Sequence, residues 1–150
     1  MHYLLLVVIV MEKKRIVWID DDINTKLLKG FVDEFEEKNF EVIKIETINN
    51  LLPILKIEAE KSLSAIIVDI AMPPGHLDFR ETRGGLRTGI VVIKELLKED
   101  SLKSIPIIVF TNVNDEVVKV FCKDRSIPYL RKEDYFYNKF ILEIEEIIKK

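Results

Sequence analysis

The chain has 150 residues and a net charge of −3, from 23 lysine and arginine residues against 26 aspartate and glutamate residues. Hydrophobic residues make up 48% and charged residues 33%, a mixture that excludes a disordered or fibrous chain. The length suits one domain and is too short for two. A mildly acidic chain without a long basic run is not expected to bind DNA directly. The single cysteine, Cys122, excludes a disulfide framework and favours a reducing, cytoplasmic setting.

Residues 1–14 are predicted to form an N-terminal extension ahead of the first strand. Residues 3–10 are apolar throughout, but this run is far shorter than the roughly 20 residues that span a bilayer. Basic residues follow the run instead of preceding it, which is the reverse of a signal peptide. We interpret it either as the product of an upstream start, with Met11 as the domain's own start, or as an added strand. No membrane association is expected.

From Arg15 onward, short β-branched runs alternate with stretches of helical spacing. The runs predict strands at residues 15–20, 40–47, 65–70, 105–111 and 127–131. The intervening stretches predict helices at residues 23–35, 51–59, 89–99, 114–123 and 133–149. Strict alternation implies a parallel sheet with helices on both faces, wound right-handed. No internal repeat or linker interrupts residues 15–150, so we expect one α/β domain.

Charged and hydroxyl side chains mark the ends of four predicted strands. Asp20 and Asp21 end the first strand, Asp69 the third and Thr111 the fourth, while Lys132 follows the fifth. Ligands of doubly wound sheets bind outside these carboxyl ends. Clustered carboxylates repel by about 4 kcal/mol per pair at an effective dielectric of 20, so raised pKa values or a bound cation must compensate. The oxygen donors suit Mg²⁺, Thr111 and Lys132 suit a phosphoryl group, and an aspartate can attack phosphorus.

These residues resemble the receiver domain of two-component response regulators, and the resemblance covers residues 15–150. Asp20 and Asp21 match the family's acidic pair, and Asp69 begins a matching D-x-x-M-P motif. Thr111 and Lys132 match its strand-end hydroxyl and lysine. Tyr129, three residues before the lysine, matches its switch aromatic. The resemblance implies a flavodoxin-like fold, with five parallel strands in the order 2-1-3-4-5 and five helices.

The resemblance also implies a phosphorylation-activated signalling switch. Asp69 would accept a phosphoryl group from a sensor histidine kinase or phosphotransfer protein, with Mg²⁺ bound by Asp20, Asp21 and Asp69. Lys132 and Thr111 would contact the phosphoryl group, and Thr111 and Tyr129 would form the switch. The chain would not be an enzyme beyond its own phosphoryl acceptance and dephosphorylation.

The chain ends after the fifth predicted helix, so no output domain is expected and the signal would pass by contact with a downstream protein. A homodimer is expected to use the same output face, formed by the fourth helix, fifth strand and fifth helix. That face is expected to include Val117, Val118, Lys119, Phe121, Arg131 and parts of residues 135–139.

Two departures from the family pattern leave alternatives open. Glu133 follows Lys132 where the family has a proline, often cis, and we expect a trans bond because a non-proline cis bond costs about 2.5–4 kcal/mol. Residues 73–88 form a long insertion before Gly89, which we interpret as the glycine of the family's third helix; loops this long are usually functional or disordered. A phosphorylation-independent adaptor is therefore one alternative. A haloacid dehalogenase-like phosphohydrolase, suggested by the D-x-D at residues 20–22, is another, but it leaves Asp69 without a role.

Several other residues are predicted to be structural. Asp22 is interpreted as the N-cap of the first helix, and Trp18 and Cys122 as core residues. His2 and His76 suggest no metal site. The basic side chains of the insertion are interpreted as solvated loop charges, with contact to a partner or phosphodonor as the alternative: Arg80, Arg83 and Arg87.

Overall fold

Five parallel strands form the central sheet of the computed structural model, which describes residues 13–150. Their order is β2-β1-β3-β4-β5, which confirms the predicted topology. The strands are β1 (Lys14–Ile19), β2 (Phe40–Ile45), β3 (Ala65–Val68), β4 (Ile107–Thr111) and β5 (Tyr129–Arg131). β1 begins inside the predicted extension, and the prediction for residues 3–10 lies outside the described residues.

Five α-helices connect and cover the strands. They are α1 (Lys26–Glu37), α2 (Leu51–Glu60), α3 (Thr88–Leu97), α4 (Glu116–Asp124) and α5 (Tyr137–Lys149). A short 3₁₀ turn, Lys132–Asp134, precedes α5. The last helix therefore begins four residues later than predicted, because Tyr135 and Phe136 are extended.

The side chains of each strand alternate between two apolar layers, as the two-residue period of a strand requires. From β1, Val17 and Ile19 join the layer that α2, α3 and α4 cover. Ile16 and Trp18 join the opposite layer, covered by α1 and α5. Burial of the sheet on both faces explains why its inner strands are continuous apolar runs.

The two residues predicted to lie in the core are buried. Trp18 is fully buried, with ring centroids of Phe31, Phe35, Phe110 and Phe140 lying 5.7–6.3 Å away. Cys122 is also buried, and burial raises the pKa of its thiol to about 11. A thiol with a raised pKa is a poor nucleophile at neutral pH, which agrees with a structural role for Cys122.

The prediction that Asp22 caps the first helix is wrong. α1 has Thr25 as its N-cap residue, without a side-chain capping bond. The chain instead makes a turn after β1, in which Ile23 N donates to Asp20 O at 3.1 Å and Thr25 N donates to Asp22 O at 2.9 Å. These turn bonds delay the helix by three residues although the apolar period already begins at Ile23.

The insertion at residues 73–88 forms a series of hydrogen-bonded turns up to the start of α3 at Thr88. Thr82 and Thr88 are fully buried, and the Thr88 hydroxyl donates to Met72 O at 2.5 Å. Met72 N donates to Gly85 O at 3.0 Å, which closes the base of the loop. Gly85 has a φ of +102°, and a Cβ added at this position would lie 2.9 Å from Met72 O. Only glycine therefore fits where the loop closes.

The prediction of the output face is wrong for two of its residues. Val118 is fully buried and Phe121 is 8% exposed, because both lie on the side of α4 that packs on the sheet. Val117 and Val120 are exposed on the opposite side of the helix. None of the helices in residues 13–150 is both long and apolar enough to cross a membrane.

Candidate functional site

The backbone of the sheet brings three carboxylates together at its carboxyl edge. Asp20 directly follows β1, and its N–H donates to Ile45 O of β2 at 3.0 Å; Asp69 follows β3, and its N–H donates to Ile19 O at 3.0 Å. The ladder therefore continues one residue past each strand and fixes both acids. Carboxylate oxygens of Asp20, Asp21 and Asp69 lie within 4.8 Å of one another, as the sequence predicts.

Lys132 joins this cluster from the end of β5. Its Nζ donates to Asp20 Oδ2 at 2.8 Å and to Asp69 Oδ2 at 3.0 Å. Both acids are buried, Asp20 completely and Asp69 to within 5%. Since 112 and 63 residues separate the lysine from these partners, only the strand order brings them into contact.

The cluster perturbs the pKa values of its members. Burial, and then the charge of Asp69, raises the pKa of Asp20 to about 6, against the opposing effect of Lys132. Burial, followed by the charge of Asp22, also raises the pKa of Asp21. Burial alone would lower the pKa of Lys132, but the charges of Asp69 and Asp20 and the hydrogen bonds to both acids together outweigh burial, so the pKa is raised. The site therefore holds more negative charge than the lysine neutralises.

The donor set fits a divalent cation. Three carboxylates and one ammonium leave two uncompensated negative charges, which one divalent ion would balance. All the donors are oxygens, and Asp21 is only half-buried, so water can complete the coordination. Mg²⁺ prefers one or two carboxylates together with retained water. The residues present are therefore suited to hold Mg²⁺.

Thr111 and Tyr129 both bind the backbone of Val113, in the loop that follows β4. The Thr111 hydroxyl oxygen, fully buried at the end of β4, accepts a hydrogen bond from Val113 N at 3.1 Å. The Tyr129 hydroxyl donates to Val113 O. Within residues 13–150 no hydrogen bond joins Thr111 to Asp69 or Lys132. The two predicted switch residues are thus linked to each other and not directly to the carboxylates.

Two local features match the sequence-based expectations. Residues 13–150 contain no cis peptide bond, so the Lys132–Glu133 bond is trans as predicted. At Gly89 an added Cβ would lie 2.2 Å from Asp69 O and 2.7 Å from Ile70 Cα. Only glycine lets α3 begin so close to the backbone of Asp69, which agrees with the interpretation of Gly89.

One interaction at the rim of the site was missed. Arg87 Nε donates to Asp115 Oδ2 at 2.8 Å and Nη2 donates to Oδ1 at 3.2 Å, and this contact with Arg87 holds the pKa of Asp115 below its usual value. Arg80 and Arg83 are exposed as predicted, but Arg87 is not a free loop charge. The available signal was topological: Arg87 precedes α3, Asp115 precedes α4, and the strands before these helices are neighbours.

Two cavities differ in their relation to the cluster. A cleft of about 440 Å³ lies between α1 and the segment after β5, with Lys132 and Asn112 in its wall. A larger cavity of about 700 Å³ lies between α2 and α3, lined mainly by apolar side chains such as Leu51, Val92 and Leu96. Of the site residues, Lys132 lines the smaller cleft, whereas none of Asp20, Asp21, Asp69 and Lys132 lines the larger cavity.

Comparison with solved structures finds receiver domains that cover most of the chain. A response regulator from Desulfuromonas acetoxidans is 16% identical, with a TM-score of 0.68 over 91% of this chain and 97% of that one. The chemotaxis response regulator CheY4 of Vibrio cholerae is 17% identical, with a TM-score of 0.65 over 91% and 99%. The beryllofluoride-activated NtrC4 receiver domain dimer is 18% identical, with a TM-score of 0.67 over 90% and 96%.

These similarities establish the fold: the chain has the CheY-like, flavodoxin-like architecture of response regulator receiver domains. The predicted fold class is therefore confirmed. No family model matches the chain, and no curated protein matches it. The chemistry must be argued from the site itself, because one fold hosts many functions.

Proposed function

We propose that the protein is a phosphorylation-activated signalling switch in which Asp69 accepts a phosphoryl group. The observation that carries this proposal is the position of Lys132, which bonds both Asp20 and Asp69 inside a trio of carboxylates. A nucleophilic carboxylate, a cation-binding pair and an ammonium at one edge of the sheet are groups that phosphoryl transfer uses. The receiver-domain fold agrees with this use of the site.

The transfer would exchange one phosphorus bond for another. An Asp69 oxygen attacks the phosphorus of a phosphohistidine, the P–N bond breaks, and the released imidazole nitrogen keeps the electron pair and takes up a proton. Asp20, Asp21 and Asp69 would hold Mg²⁺, which neutralises charge on the transferred group when bound. Lys132 lies within 3.0 Å of Asp69 Oδ2 and would pair with a phosphoryl oxygen. The Thr111 hydroxyl would donate a hydrogen bond to another phosphoryl oxygen.

The phosphoryl donor would be a sensor histidine kinase or a phosphotransfer protein. The signal would leave by contact with a downstream protein, or through a homodimer of the face formed by α4, β5 and α5. Val117 is exposed on this face, and Tyr129 lies half-buried beneath it. The proposal includes a cytoplasmic location and no catalysis beyond the protein's own phosphorylation and dephosphorylation.

The phosphorylation-independent adaptor remains the second candidate, because the long insertion and Glu133 depart from the pattern of the resemblance. The phosphohydrolase alternative loses support in the structure. Its D-x-D motif would need Asp22 in the site, yet the carboxylate trio contains Asp69 and not Asp22. Asp69, which that alternative leaves without a role, contacts Lys132 instead.

Labelling with acetyl phosphate and Mg²⁺, followed by intact mass measurement, tests the proposal. We expect one phosphoryl group on the wild type and none on Asp69→Asn, which lacks only the attacking oxygen. Asp22→Asn is the matched control, because Asp22 is exposed and outside the trio, and it should be labelled normally. Absence of labelling in the folded wild type would favour the adaptor.

Metal binding gives a second test. Asp21→Ala removes one carboxylate of the trio without touching the bonds of Lys132, and it should weaken Mg²⁺ binding by about tenfold or more, equal to about 1.4 kcal/mol. The fluorescence of Trp18, two residues before Asp20, serves as the reporter. Asp22→Ala should bind Mg²⁺ as the wild type does. Equal affinity of Asp21→Ala and the wild type would refute the assignment of Asp21.

A further inference from the structure

The ion pair between Arg87 and Asp115 joins two loops that both begin near the site. Arg87 precedes α3 and Asp115 is the N-cap of α4. The guanidinium binds the carboxylate through two nitrogens, and both side chains are less than one quarter exposed. A forked, partly buried pair fixes the relative position of its partners more firmly than an ordinary surface ion pair does.

On the Arg87 side, the chain is tied to the backbone around Asp69. Gly89 N donates to Ile70 O at 2.9 Å, and Met72 N donates to Gly85 O at 3.0 Å. The buried Thr88 hydroxyl adds a third bond, to Met72 O. A change in the backbone next to Asp69 therefore reaches Arg87 through hydrogen bonds between neighbouring segments.

On the Asp115 side, the carboxylate holds the start of α4. Asp115 Oδ1 accepts a hydrogen bond from Val117 N at 2.9 Å as well as the bond from Arg87. The segment at residues 112–115 is thus held at one end by Asp115 and at the other by Thr111 and Tyr129, which both bind Val113. Arg87 is the only side chain of the insertion that forms an ion pair with this segment among the described residues.

We propose that Arg87 is a positioning residue that couples the insertion to α4, so that modification of Asp69 moves the two together. This inference rests on the proposed function of Asp69. The coupling provides a path from Asp69 to α4 that runs beside the Thr111–Tyr129 path and uses the insertion. A merely structural ion pair would contribute to stability but would leave the response of α4 to Asp69 unchanged.

The test is backbone NMR of the full chain with Mg²⁺, with and without beryllofluoride as the phosphoryl mimic. In the wild type we expect shifts around Asp69, in the insertion and in the first turn of α4. In Arg87→Gln the shifts around Asp69 and in the insertion should persist, and those in the first turn of α4 should be partly lost, because the Thr111–Tyr129 path remains. Asp115→Asn keeps an N-cap acceptor but removes the charge, so it should show the same loss.

The remaining variants separate coupling from general damage. Arg87→Lys should restore part of the α4 shift, because it returns the charge without the fork. The double variant Arg87→Gln with Asp115→Asn should be no worse than either single variant, since both remove one interaction. Arg80→Gln, in the same loop and exposed, is the control and should respond as the wild type does.

Two results would contradict the proposal, and they are distinguishable. If the wild type responds and α4 keeps its full shift in Arg87→Gln, the coupling is absent while the function of Asp69 stands. If the folded wild type shows no beryllofluoride response at all, the proposed function is wrong and the coupling fails with it.

Discussion

Two regions meet where β3 ends, namely the carboxylate cluster and the insertion at residues 73–88. In the cluster, every side chain is placed by the end of a strand, and Lys132 reaches its partners across 112 and 63 residues of sequence. In the insertion, the turns are formed by short-range bonds, such as those of the Thr82 hydroxyl to Asp78 O and Phe79 O, while bonds from Arg87 and Thr88 attach the end of the loop to the rest of the domain. The residues of the candidate site can therefore be predicted from the ends of the strands in the sequence. The conformation of the insertion cannot, because the interactions that form it have no regular spacing along the chain.

The largest expected effect concerns the lysine of the cluster. Lys132→Met removes the ammonium that bonds Asp20 and Asp69, which is also the group that would pair with the phosphoryl oxygen, so labelling by acetyl phosphate should slow by about 100-fold. Lys132→Arg keeps the positive charge, so its labelling rate should fall by a smaller factor. Arg80→Gln in the insertion should be labelled at the wild-type rate. Equal rates for Lys132→Met and the wild type would show that the cluster does not transfer phosphoryl groups.

The glycines of the two regions should differ in their tolerance of a side chain. Gly89→Ala places a Cβ 2.2 Å from the backbone oxygen of Asp69, which cannot give way without moving the site, so we expect a loss of about 3 kcal/mol. Gly84→Ala in the insertion meets mainly the exposed ring of Phe79. Its left-handed φ should cost about 1 kcal/mol. Urea unfolding measures both, and equal losses would contradict the comparison.

The burial of Asp20 next to Asp69 should make the stability of the protein depend on pH. The pKa of Asp20 is raised to about 6 from an ordinary value of 3.8, so the folded state holds its proton at pH values where the unfolded state has lost it. The stability that protonated Asp20 contributes is therefore present below about pH 4 and is lost as the pH rises through 6. In EDTA, the wild type should lose about 2 kcal/mol relative to Asp20→Asn between pH 4 and pH 7.

Denaturant unfolding of both proteins at each pH measures this difference. Asp78→Asn in the insertion is the matched control and should follow the wild type, because Asp78 is exposed. A constant difference between the wild type and Asp20→Asn across this range would show that Asp20 does not titrate with a raised pKa.

The smallest effect concerns the hydroxyl of Tyr129. Tyr129→Phe removes the bond to Val113 O and should cost about 1 kcal/mol of stability, with Asp69 still labelled by acetyl phosphate. Any phosphorylation-dependent dimerisation should weaken, which analytical ultracentrifugation with beryllofluoride measures. Dimerisation equal to the wild type would remove Tyr129 from the proposed switch.

The sequence predicts the sheet and the cluster because both follow regular rules. Apolar runs locate β1, β3 and β4, and the acids and hydroxyls that follow them mark the carboxyl edge. The start of α1 was missed because the turn bonds of Asp20 and Asp22 outweigh the apolar period at Ile23. The sequence does not predict the Arg87–Asp115 pair, because no spacing of residues indicates it. Predicting it would require knowing that β3 and β4 are neighbours and how the two side chains are oriented.

The position of the phosphoryl group tests the central claim most directly. After labelling with acetyl phosphate and Mg²⁺, borohydride reduces an aspartyl phosphate to homoserine, which peptide mass spectrometry locates. We predict homoserine at position 69 alone, with none formed in the Asp69→Asn variant. Homoserine at another aspartate of the cluster, such as position 20 or 21, would contradict the assignment of Asp69 as the acceptor.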